Sequence, residues 1–139
     1  MAKQPKDIAA SVRQRLLNLA REEGQVFEVV LVAFGLERLV YRLSVSEYRD
    51  RFVLKGGMLV TLWTADTGRF TRDIDFLAFG SDEETQLKEA FSAILAIDGR
   101  DGLVIPPFLT GCIRRTYAAI FSFWAGVMPP MPMFGRSLL

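Results

Sequence analysis

A chain of 139 residues, half of them hydrophobic, has the size and apolar content of one modest folded domain. Its formal net charge of +1 carries no bulk signature of a nucleic-acid binder, and the absence of histidine excludes both a Ser-His-Asp triad and His-ligated zinc. Cys112 is the single cysteine, so an internal disulfide is excluded and a reduced, cytoplasmic setting fits.

In chain order, Met1 to Ser11 is polar and lacks the apolar core of a signal peptide. Asp7 to Arg21 reads as a helix, with Ile8, Val12, Leu16 and Leu19 at helical spacing and Gly24 as its stop. Val26 to Leu43 reads as a second, more deeply buried helix with Phe27, Val30, Leu31, Phe34 and Leu39 on one broad face. No membrane span is expected, because Glu28, Glu37, Arg38 and Arg42 interrupt this run. Arg51 to Lys55 is short and apolar, like a strand, and Gly56-Gly57 ends it. Met58 to Trp63 reads as the start of a buried helix, with Trp63 in the core, and Thr64 to Phe70 as a loop. Thr71 to Phe79 alternates as a second strand, and Asp82 to Ile97 is an amphipathic helix capped by Ser81 or Asp82.

The charge pattern divides the chain. Residues 61–101 are acidic, whereas none of residues 102–139 is. That last stretch carries Pro106, Pro107, Pro129, Pro130 and Pro132 and has no clean strand or helix period past Ala125. The division expected is therefore between 1–101, which carries the regular elements, and 102–139, an atypical, frameshifted or truncated tail that does not continue the fold.

The chemistry concentrates between Lys55 and Phe76. Asp73 and Asp75 are two apart on a strand, so both carboxylates project from one face while Ile74 and Phe76 project from the other. Neighbouring carboxylates repel each other, and a divalent cation removes that cost. Mg²⁺ is commonly held by one or two carboxylates together with phosphate oxygens. Gly56 and Gly57, between a strand and a helix, let the backbone approach a phosphate at a positive helix N-terminus. The two motifs in this order point to nucleotide chemistry more strongly than either alone.

A glycine-rich turn, a helix, a loop and then Asp-x-Asp is similar to DNA-polymerase-β-like nucleotidyltransferases. The segment Phe52-Val53-Leu54-Lys55-Gly56-Gly57, with Arg69, Thr71, Asp73, Asp75 and Phe76 following, resembles the AbiEii/AbiGii toxin family, from about Tyr48 to Phe79. The resemblance implies an α+β fold: N-terminal helices followed by a partial polymerase-β-like core with a small mixed sheet. It implies Asp73 and Asp75 as catalytic ligands of Mg²⁺ or Mn²⁺, and Gly56, Gly57, Lys55, Arg69 and Thr71 as nucleotide-binding residues. The implied reaction is attack of an acceptor hydroxyl, on RNA and in some relatives tRNA, on the α-phosphate of an NTP. A cognate antitoxin encoded nearby is the implied partner, in a toxin–antitoxin or abortive-infection setting. The family also carries a third carboxylate on a later strand and a later helix with a Glu-Lys pair. After Asp101 this chain has no Asp, Glu or Lys to fill those places. The alternatives to an active enzyme are a catalytically inactive remnant and a non-enzymatic interaction module.

Overall fold

The computed structural model describes residues 7–64, 71–81, 83–104, 113–117 and 120–124. Helix α1 spans Ile8–Glu22 and α2 spans Phe27–Ser44. Asp7 caps α1 by accepting a hydrogen bond from the Ala10 N–H at 2.9 Å. The helix stops where the sequence suggests: Gln25 N–H bonds Ala20 C=O at 2.8 Å and Gly24 N–H bonds Arg21 C=O at 3.3 Å. This pair of reversed bonds satisfies two carbonyls of the last turn. Val12, Leu16 and Ala20 of α1 pack with Val30 of α2 in a small apolar cluster.

After α2 come strand β1 (Phe52–Lys55), helix α3 (Gly56–Thr64), strand β2 (Asp73–Ala78), helix α4 (Glu84–Leu95), and strands β3 (Ile113–Tyr117) and β4 (Ile120–Trp124). The sheet order is β1-β2-β4-β3. The architecture is α+β as expected, but all three strand pairings are antiparallel, where a mixed sheet was expected. Burial along β2 alternates, with Ile74 and Phe76 0% and 1% exposed, as its sequence predicts. Both enter a core with Leu36 and Leu39 of α2 and Leu87, Phe91 and Ile94 of α4. Phe52, Phe76 and Phe91 form its aromatic centre, with ring centroids 5.0 to 6.2 Å apart.

Three local expectations change. The cap residue of α4 is Glu83, without a side-chain capping bond; Ser81 Oγ accepts from the Glu83 N–H at 3.4 Å, outside the helix, and Asp82 lies outside the described residues. Trp63, next to the last residue of α3, is 82% exposed rather than buried.

The third change concerns the break expected at residues 101/102, because the backbone continues the fold well past it. Gly102 lies against α1 so closely that a Cβ there would come 2.7 Å from the Ala9 nitrogen. Leu103 joins the core, and β3 and β4 extend the sheet to Trp124. The reason is that Ile113–Tyr117 and Ile120–Trp124 are rich in β-branched and aromatic residues, which favour strands. The near-continuous apolar run of β4 conceals the alternation by which a strand is recognised. The five prolines and Cys112 lie outside the described residues.

The segment before β3 is anchored by charge. Arg42, only 1% exposed, donates from Nη2 to Asp101 Oδ1 at 3.1 Å and to Leu103 C=O at 3.0 Å, and from Nε to Ile97 C=O at 2.9 Å. Arg38 Nε donates to Asp101 Oδ2 at 2.5 Å while its guanidinium lies 4.1 Å from the centre of the Tyr41 ring. Burial pushes the Asp101 carboxyl up, but the hydrogen bonds from Leu103 N–H and Arg38 and the charges of Arg42 and Arg38 outweigh it, and the net shift is downward. Asp101 is thus a structural acid that ties residues 97–103 to α2.

Candidate active site

The site lies at the end of the sheet where β1 turns into α3. Lys55, the last residue of β1, is directly opposite Asp75 of β2 in the strand register. Gly56 follows immediately with φ at +72°, a left-handed conformation that side chains with a Cβ rarely adopt. Space reinforces the choice: a Cβ on Gly56 would come within 2.7 Å of Asp75 Oδ2. The Asp75 carboxylate therefore lies against the bare Cα of Gly56, at the first residue of α3, where the helix dipole is positive. Gly57 meets the other arm of the site, since a Cβ there would be 3.6 Å from Thr71 Oγ1.

Thr71 in turn reaches β2. Its Oγ1 lies 2.8 Å from Asp73 Oδ1 and 2.9 Å from the Asp73 carbonyl oxygen. Asp73 is exposed and Asp75 half-buried, on the sheet face opposite to Ile74 and Phe76. The structure thus brings together Lys55, Gly56, Gly57, Thr71, Asp73 and Asp75, six of the seven residues singled out in the sequence. The seventh, Arg69, lies outside the described residues.

Two carboxylates beside a glycine turn fit an ion that takes one or two protein carboxylates and completes its shell with phosphate oxygens and water. They do not amount to an all-protein cage, since among the described residues no group of three or more His, Cys, Asp or Glu could hold a metal ion.

Strand β4 borders β2 on the side away from β1. It runs beside β2 with Ser122 opposite Asp75 and Trp124 opposite Asp73, and its sequence contains no acidic residue. On the far side of β4, Arg114 of β3 is opposite Ser122, so the register aligns Lys55, Asp75, Ser122 and Arg114 in one row across the sheet. Neither Ser122 nor Arg114 was singled out in the sequence, because strand register is a long-range property that no local motif encodes. No helix among the described residues is long and apolar enough to cross a membrane.

Residues 38–122, more than half of the chain, match the family described as nucleotidyl transferase AbiEii toxin, Type IV TA system. The match begins in α2 and ends inside β4, so it takes in the whole candidate site and continues beyond the Tyr48–Phe79 segment that carries the motifs. No curated protein and no solved structure matches the chain.

Proposed function

The chain belongs to the AbiEii family of nucleotidyltransferase toxins, and we propose that Asp73 and Asp75 make it a Mg²⁺-dependent site for transfer of a nucleotide from an NTP to an RNA acceptor, with tRNA ends as the candidate substrate. The observation that carries this reading is the contact between the two motifs: the Asp75 carboxylate lies against the Cα of Gly56 where α3 begins. Phosphates at the Gly56-Gly57 turn and a cation at the carboxylates would then be neighbours.

In this reading Asp73 and Asp75 hold Mg²⁺ or Mn²⁺, which when bound supplies charge neutralisation to the reacting phosphate. Gly56 and Gly57 admit the triphosphate to the backbone, and Lys55, in register with Asp75, offers it a positive charge. Arg69 is retained as a phosphate ligand on the resemblance alone. Cytoplasmic residence, where NTPs and RNA are available, and a cognate antitoxin belong to the same reading.

A second reading is favoured by one observation. The register position beside Asp75 on β4 is held by Ser122 rather than by an acid. A site holding only Asp73 and Asp75 would give the acceptor hydroxyl less charge support and no activating base. This chain would then bind metal and nucleotide with little turnover, as an inactive relative of the active toxins. Incubation with α-labelled NTPs and total tRNA separates the two. Label on RNA that disappears in Asp73→Asn/Asp75→Asn supports the first reading. Metal-dependent NTP binding without labelled RNA supports the second. Binding of neither metal nor NTP contradicts both.

A further inference from the structure

We propose that Thr71 is a positioning residue for the metal site, which orients the Asp73 carboxylate rather than contacting nucleotide phosphate; the inference rests on the metal-site reading above. A threonine hydroxyl has one hydrogen to donate. Both oxygens within reach of Thr71 Oγ1, Asp73 Oδ1 at 2.8 Å and the Asp73 carbonyl at 2.9 Å, are pure acceptors when the carboxylate is ionised. The hydrogen is therefore already engaged within the protein, and none is left for a phosphate oxygen.

The consequence falls on Asp73. This carboxylate is exposed at the first residue of β2, where it has the least packing to hold its rotamer. A bond to Oδ1 from a group two residues earlier fixes the plane of the carboxylate and leaves Oδ2 to a cation. Thr71 Oγ1 also faces the glycine turn, since a Cβ added at Gly57 would come 3.6 Å from it. Thr71 thus stands between the glycine turn and the first aspartate, as the second aspartate stands against Gly56. Groups that orient a metal ligand in this way typically change metal affinity about 10- to 100-fold when removed.

The test measures Mn²⁺ alone, without nucleotide, so that phosphate contacts play no part. Free Mn²⁺ is titrated by electron paramagnetic resonance against the full chain and the variants Thr71→Val, Thr71→Ser, Thr71→Ala and Asp73→Asn, with folding checked by circular dichroism. Thr71→Val and Thr71→Ala should weaken Mn²⁺ binding about tenfold or more. Thr71→Ser, which keeps the hydroxyl, should bind as the wild type does, and Asp73→Asn should lose the site. Wild-type affinity in folded Thr71→Val or Thr71→Ala, with binding lost in Asp73→Asn, overturns the role of Thr71 and leaves the metal site standing. Equal loss in Thr71→Ser and Thr71→Val also overturns it, since a restored hydroxyl would then not matter. No Mn²⁺ binding by the wild type overturns the metal-site reading and this proposal with it.

Discussion

Gly56 and Gly57 look equivalent in the sequence, yet the structure makes opposite predictions for them. Gly56→Ala places a Cβ in the left-handed region, at φ +72°, which costs roughly 1–2 kcal/mol. The same Cβ would meet Asp75 Oδ2 at 2.7 Å, and a carboxylate displaced off its rotamer costs about 0.5–1.5 kcal/mol. Alanine restricts the unfolded chain, which returns about 0.4–1 kcal/mol. The net expectation is a loss of about 0.5–3 kcal/mol from these terms. Gly57 has no positive φ, and a Cβ there would find Thr71 Oγ1 at 3.6 Å, an ordinary contact. Gly57→Ala should therefore be neutral or stabilise by about 0.4–1 kcal/mol. Urea unfolding followed by far-ultraviolet circular dichroism measures both differences. Gly56→Ala as stable as the wild type, or Gly57→Ala the more damaging of the two, would refute the geometry assigned to the turn.

Two further perturbations probe the Asp101 anchor and the β4 side of the candidate site. Asp101→Asn leaves Arg42 buried without its charge partner, and breaking such a pair costs about 3–5 kcal/mol, read as a lowered urea midpoint. Because the folded Asp101 carboxyl is held below its ordinary value of 3.8, its stabilisation is complete above that pH and is lost as pH falls through the lower folded value. Acid titration of stability should thus fall more steeply for the wild type than for Asp101→Asn below about pH 4, and parallel curves would count against the assignment. Ser122→Asp introduces a carboxylate at the register position opposite Asp75. It should tighten Mn²⁺ binding about tenfold, equivalent to ~1.4 kcal/mol, and an unchanged affinity in a folded variant would show that β4 does not border the site.

What was legible in the sequence was local. Ile8, Val12 and Leu16 announce α1 by spacing, and Ile74 and Phe76 announce β2 by alternation around Asp73 and Asp75. The candidate site was readable for the same reason: its residues fall within a short stretch, Lys55 to Asp75, on or beside two strands that pair. Long-range features were not readable. Arg42 shares a helix face with Leu39 and Leu43, which was a signal for a buried charge, but its partner lies 59 residues away. Strands β3 and β4 were missed because Ile120 to Trp124 is apolar at nearly every position, so period two is hidden and proline-rich flanks suggest irregularity. Ser122 became visible only through the register that sets it opposite Asp75.

The central claim is that Asp73 and Asp75 gather a divalent cation and a nucleoside triphosphate beside the Gly56-Gly57 turn. Thermal unfolding of the wild type and of Asp73→Asn/Asp75→Asn, each with Mn²⁺ and NTP together, tests it most directly. A ligand at a hundred times its dissociation constant stabilises the folded state by about 2.7 kcal/mol, so the wild-type midpoint should rise by several degrees. The account predicts that this rise vanishes in the double variant, whose two exchanged side chains lie on the sheet face opposite to Ile74 and Phe76. An equal rise in both proteins would contradict it.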